Sequence, residues 1–117
     1  YNWYQSDGIQ RLKIEAGSSG SIGDYNWNKC NQLSELFIKT TDSNFTLGEE
    51  NFSDNNLLEL VEIDCPLSSW VGTGNLRASK FNVIVKINSA YHSSYINSTW
   101  SGDQGLPIES SIISYNP

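Results

Sequence analysis

Short runs of alternating apolar and polar residues, cut by turn signals, constrain this chain more than any other feature. Over residues 81–87, Phe81, Val83, Val85 and Ile87 share one face, while Asn82, Ile84 and Lys86 share the other. Over residues 9–16, Gln10, Leu12, Ile14 and Ala16 alternate with Arg11, Lys13 and Glu15. A period of two is the signature of a half-buried strand. Residues 33–41, with Leu36, Phe37, Ile38, Thr40 and Thr41, and residues 108–115 read as further strands. Residues 21–28, 45–47 and 91–96 read as shorter ones. Over residues 53–64, Ser53 or Asp54 has the chemistry of a helix cap, but the alternation of residues 57–63 favours a strand. Gly17-Ser18-Ser19-Gly20 and Asp42-Ser43-Asn44 supply turns.

About seven short strands separated by turns predict an all-β domain. The expected fold is an antiparallel β-sandwich or a small Greek-key barrel, with room for one short helix. The 117 residues suit a single domain, 1–117. No internal repeat is apparent beyond Tyr1-Asn2-Trp3 and Tyr25-Asn26-Trp27.

The two cysteines allow one intramolecular pair, and neither sits near a His or in a C-x-x-C motif. A Cys30–Cys65 disulfide is expected, closing a loop of about 35 residues and contributing roughly 3–4 kcal/mol on the chain-entropy model. Such a bond belongs to an oxidising compartment, so the chain is expected to be secreted, extracellular or periplasmic. A start at Tyr1 and the absence of Met fit a processed form. Three sequons begin at Asn44, Asn51 and Asn97.

Charge excludes more than it identifies. The net charge is −6, and seven basic residues are scattered along the chain. Nucleic-acid binding needs clustered Lys and Arg, so it is not expected. No apolar run approaches the ~20 residues of a membrane helix, so membrane insertion is not expected. Charged residues are 17% of the chain, and 18 Ser and 13 Asn give it a surface of hydroxyls and amides. Between Lys39 and Arg77 there is no basic residue, but seven acids: Asp42, Glu49, Glu50, Asp54, Glu59, Glu62 and Asp64. A solvated acidic face explains this stretch. The sharper alternative is a Ca²⁺ site built from Glu49, Glu50 and Asp54 with Asn51 and Asn55, although no helical calcium loop motif is present. No other cofactor is expected.

Catalysis has little foundation in the sequence. His92 is the only imidazole, and no G-x-S-x-G nucleophile elbow accompanies it. A small hydrolase using His92 is the weakest of the functional readings, and the chain is expected not to be an enzyme.

The tryptophans offer the best functional lead. Trp3, Trp27, Trp70 and Trp100 lie among Ser, Thr, Asn, Asp and Gly. A loop Trp presents a flat apolar ring beside polar groups, the pairing that sugars need. Trp70, Trp100 and Trp27 are therefore candidate glycan-stacking residues, with Asn75 and Asp103 as hydrogen-bonding partners. The competing reading has these rings plugging the ends of the fold.

Asp7-Gly8-Ile9-Gln10-Arg11-Leu12-Lys13-Ile14, the Cys30 region, Leu36-Phe37-Ile38 and Lys80-Phe81-Asn82-Val83-Ile84-Val85-Lys86 together resemble the cell-binding B subunits of bacterial toxins. That resemblance implies a disulfide-bonded Greek-key barrel that forms rings and binds glycans. The leading expectation is thus a secreted, non-enzymatic, lectin-like module or adhesin binding a neutral glycan, with homo-oligomerisation as a further expectation. The alternative is a structural or interaction subunit of a secreted assembly: a toxin B chain, a pilus-like component or an inhibitor.

Overall fold

The computed structural model describes residues 8–17, 20–40 and 44–117. Among these residues, seven strands run in order: β1 (Arg11–Ala16), β2 (Ser21–Ile22), β3 (Glu35–Thr40), β4 (Thr46–Leu47), β5 (Leu60–Asp64), β6 (Ile84–Asn88) and β7 (Ser111–Tyr115). Helices α1 (His92–Ile96) and α2 (Trp100–Asp103) lie between β6 and β7, and a 3₁₀ turn spans Leu67–Ser69. The predicted strand at residues 91–96 is therefore helical over its last five residues, and Trp100, read as a loop tryptophan, opens α2.

Among the described residues, every strand pairing is parallel. The main sheet has the order β1-β3-β5-β6-β7, and β2 and β4 form a second, narrow sheet. Paired residues are offset by 24, 25, 24 and 27 positions along the main sheet, so each strand repeats one coil later. The chain winds as a solenoid of short coils, each stacking on its neighbour. This overturns the antiparallel sandwich or Greek-key barrel, and with it the barrel implied by the toxin-subunit resemblance. Alternation reports which face of a strand is buried but not the direction of its neighbour. Parallel pairing needs a crossover of a dozen or more residues, and the residues between the main strands supply it.

The expectation of no internal repeat is also corrected. Gly23-Asp24-Tyr25-Asn26, Gly48-Glu49-Glu50-Asn51 and Gly72-Thr73-Gly74-Asn75 are the same turn in successive coils. The backbone repeats with them. Tyr25, Glu50 and Gly74 have φ of 58°, 50° and 71°, and Lys29, Asp54 and Ala78 have φ of 59°, 58° and 58°. Five of these six left-handed positions hold residues other than glycine, which hides the repeat from a search for Gly.

The core is built from columns that run through the coils. Leu12, Leu36, Val61, Val85 and Ile112 occupy one register row of the main sheet, and Ile14, Ile38, Ile63 and Ile87 another. Trp27 stacks on Phe52 at 5.6 Å between ring centroids, and Leu76 is buried at the equivalent place in the next coil. Leu33 and Leu58 are fully buried just before β3 and β5. The coil after β6 is longer, and Tyr95 and Trp100 fill its interior.

An amide ladder ties the coils together on the side away from the main sheet. Asn26 donates its backbone N–H to Asn51 Oδ1 (3.1 Å), Asn51 to Asn75 Oδ1 (2.8 Å) and Asn75 to Gln104 Oε1 (3.2 Å). Each carboxamide NH₂ also donates to a glycine carbonyl: Asn51 to Gly23 (2.8 Å), Asn75 to Gly48 (2.9 Å) and Gln104 to Gly72 (2.9 Å). All four ladder residues are buried, so these bonds satisfy backbone groups that turns would otherwise bury without partners.

The expected Cys30–Cys65 disulfide is absent: both residues are buried and are not bonded to each other. Cys30 follows the ladder turn of the first coil, whereas Cys65 follows β5, next to the Tyr95 hydroxyl at 3.6 Å. Burial pushes the Cys65 thiol up to about 11. Among the described residues, no helix is long and apolar enough to cross a membrane.

Candidate functional site

The tryptophan site expected from the sequence does not present an open surface. Trp27, Trp70 and Trp100 are 6%, 8% and 2% exposed, and Asn75 is fully buried. The fold does bring Trp70 and Trp100 together, edge to face at 5.3 Å, but inside the core. Tyr95 meets Trp100 in the same way at 5.1 Å. Trp70 Nε1 donates to Tyr95 Oη (2.9 Å), and that hydroxyl donates to the Cys65 carbonyl (2.7 Å). Burial raises the Tyr95 phenol far above its ordinary value. This cluster closes the interior where the third coil meets the longer fourth. Asn75 belongs to the amide ladder, and Asp103 is exposed, accepting a hydrogen bond from Thr99 Oγ1 (2.8 Å). A Trp flanked by Ser and Gly here marks a tight coil corner, whose polar residues serve the turn while the ring points inward.

Of the acidic stretch, Asp42 lies outside the described residues, and Glu50, Asp54, Asn51 and Asn55 have partners within the protein. Glu50 pairs with Arg77 and accepts the Tyr25 hydroxyl (2.8 Å), and these contacts hold its carboxyl below the ordinary range. Asp54 lies 4.0 Å from the same guanidinium. The Asn51 side chain serves the ladder, and Asn55 Nδ2 donates to the Trp27 and Phe52 carbonyls (2.9 Å each). Among the described residues, no group of three or more His, Cys, Asp or Glu is placed to hold a metal ion. His92 opens α1, and its Nε2 is buried without a hydrogen-bond partner. The sequon at Asn51 is part of the buried ladder, whereas Asn44 and Asn97 are exposed.

The side chains that do converge lie on the outward face of the main sheet. A depression of about 370 Å³ is lined by Arg11 and Lys13 of β1, Phe37 and Lys39 of β3, Glu62 and Asp64 of β5, and Tyr115 of β7. Their placement follows from the register. Lys13, Phe37, Glu62, Lys86 and Ile113 form one row across the sheet; in the next, Glu15, Lys39 and Asp64 are register partners, as are Asn88 and Tyr115. Alternation sends the apolar residues of each strand inward and leaves these rows outside.

The electrostatics of the depression are divided. The Arg11 guanidinium sits 4.4 Å from the centroid of the Phe37 ring, a cation–π contact that fixes both side chains. Lys13 pairs with Glu15 on its own strand at 2.7 Å, and that contact holds the Glu15 carboxyl below the ordinary range. Asp64 accepts from Asn88 Nδ2 (2.8 Å). Partial burial, followed by the charges of Asp64 and Glu62, pushes the Tyr115 phenol up to about 12. Tyr115 thus feels the β5 carboxylates across the intervening β6. Arg11, Lys13 and Glu15 were legible as one outward face from the alternation of residues 9–16. Phe37, Lys39, Glu62 and Tyr115 were not legible as members of the same face, because nothing local announces which strands are neighbours.

No family model matches the chain, and neither the curated proteins nor the solved structures contain a match to it.

Proposed function

We propose that this chain is a non-enzymatic interaction module of a secreted assembly, and that the outward face of its main sheet receives a protein partner. The observation that carries this reading is the depression shared by β1, β3, β5 and β7, where cationic, anionic and aromatic side chains from four coils converge. Solenoids of stacked coils build extended surfaces of this kind from one residue position per coil. Polar groups set around aromatic and Arg anchors are the usual composition of a protein interface. The placement of the module in an assembly outside the cell is supported by its hydroxyl- and amide-rich composition and by the two exposed sequons, at Asn44 and Asn97.

Panning a peptide-display library of defined composition tests this reading, with a glycan array run in parallel. Peptides enriched on the wild type are expected to lose at least tenfold in affinity on Phe37→Ala and on Lys39→Ala. Circular dichroism should show both variants folded, since Phe37 is half-buried and Lys39 exposed. Enrichment of no peptide, affinities unchanged in both variants, or binding of glycans alone would each overturn it.

A further inference from the structure

The depression has a polarity that restricts what can sit in it. Its three cations, Arg11, Lys13 and Lys39, come from β1 and β3, while its two carboxylates, Glu62 and Asp64, come from β5. Phe37 separates Lys13 from Glu62 in the register row. Adjacent strands are about 4.8 Å apart, so the β1 and β5 charges of that row stand roughly 10 Å apart at the backbone. Lys39 and Asp64 are register neighbours, yet among the described residues they form no ion pair with each other. Glu62 and Lys86 are also register neighbours without an ion pair. On the cationic side, Lys13 is ion-paired with Glu15, and neither Glu15 nor Glu35 lines the depression.

Resting on the interaction reading above, we infer that the partner presents an extended bipolar segment, with acidic and basic residues on opposite sides of an apolar residue. Its acidic residues lie over Arg11, Lys13 and Lys39, its apolar residue over Phe37, and its basic residues over Glu62 and Asp64, on the side toward Tyr115. About three extended residues cover the 10 Å between the two charged sides. A uniformly acidic or uniformly basic segment places like charges against one side of the site, and such juxtapositions act against wrong partners. Complementary charge of this kind is felt through salt screening, so the preference is strongest at low ionic strength.

The test uses four fluorescently labelled, end-capped nine-residue peptides with Ser spacers and a central Phe. One carries two Glu before the Phe and two Lys after it. A second has the same composition with Glu and Lys alternating. The third carries four Glu and the fourth four Lys. Anisotropy titrations at low salt are expected to rank the bipolar peptide at least fivefold tighter than the other three. Raising the salt should reduce that margin. The double variant Lys13→Glu/Lys39→Glu, which leaves Arg11 as the one cation among these lining side chains against an excess of carboxylates, is expected to move the preference to the four-Lys peptide. A preference of the wild type for the four-Glu or four-Lys peptide, or equal affinity for the bipolar and alternating peptides, would overturn the bipolar assignment while leaving the face a binding surface. Binding of all four peptides unchanged by the double variant, or of none, would overturn the surface itself.

Discussion

Asn51 accepts the backbone N–H of Asn26, 25 residues earlier, at Oδ1 (3.1 Å), and donates through Nδ2 to the Gly23 carbonyl (2.8 Å). Its own backbone N–H goes to Asn75 in the next coil (2.8 Å). One carboxamide thus closes a turn in the preceding coil, and the pattern continues through Asn75 to Gln104. A shorter or charged side chain cannot supply both an acceptor and two donors at that place.

Asn75→Ala should be among the most destabilising single changes in the chain. It removes the acceptor for the Asn51 N–H and the donor to the Gly48 carbonyl, and it leaves Gln104 Oε1 without its side-chain donor. With buried groups costing about 1–3 kcal/mol each when unpaired, the loss is on the order of 3–5 kcal/mol. Asp103→Ala, at an exposed position, should change stability by less than about 0.5 kcal/mol. Urea unfolding of both variants checks the contrast.

Glycine matters unequally in the repeated turn. A Cβ on Gly72 would run into the backbone of Gly48 and Glu49, and neither can move aside as a flexible side chain would. A Cβ on Gly23 would meet nothing within 4 Å. Gly72→Ala is therefore expected to cost about 3 kcal/mol or to prevent folding, as overpacking against rigid groups does. Gly23→Ala should stay within about 0.5 kcal/mol of wild type. Thermal unfolding separates the two.

The left-handed backbone at Ala78, with φ 58°, carries a cost that glycine relieves. That cost is roughly 1–2 kcal/mol for an L-residue, against about 0.5–1 kcal/mol of extra entropy lost on ordering a glycine. Ala78→Gly should raise stability by about 0.5–1 kcal/mol. A lower melting temperature would contradict this.

Stability should fall in alkali from about pH 9 to 12. Cys65 is raised from 9.0 to about 11 and Tyr115 from 10.0 to about 12, both chiefly by burial. Each keeps its proton in the folded state at pH values where the unfolded chain has released it. Their stabilising effect is therefore complete below the unfolded values and is lost as pH rises through the folded ones. Tyr115→Phe should flatten the upper part of this decline, between about pH 10 and 12, in urea titrations repeated across the range.

The thiols give a direct chemical check. Native protein should react with no equivalent of a thiol reagent in the minutes after mixing, and with two after unfolding, because both cysteines are buried and form no disulfide with each other. Addition of dithiothreitol should leave the melting temperature unchanged.

Several parts of the fold are legible in the sequence, for a physical reason. Burial of one strand face is encoded in the residues of that strand alone, so the alternation at residues 9–16, 81–87 and 57–63 marks β1, β6 and β5 closely. It also marks Arg11 and Lys13 as outward. The spacing of Gly23, Gly48 and Gly72 with Asn26, Asn51 and Asn75 was present in the chain as well. It escapes notice because the residues between them vary, and because Tyr, Glu, Lys, Asp and Ala occupy left-handed positions where glycine would have drawn attention. The two Tyr-Asn-Trp triplets are 24 residues apart, the offset between β1 and β3. The first of them, with Trp3, lies outside the described residues.

By itself, the sequence determined that short half-buried strands would form near β1, β5 and β6, and that Arg11, Lys13 and Glu15 of β1 would face outward. Tertiary structure alone decided that those strands run parallel, because their direction depends on the path of the chain between them. It also turned Trp70 and Trp100 inward, where the longer fourth coil needs filling, and left Cys30 and Cys65 as separate buried thiols. Finally, register between coils gathered Arg11, Lys13, Phe37, Lys39, Glu62, Asp64 and Tyr115 into one depression. That convergence is a property of stacking, and no window of sequence contains it.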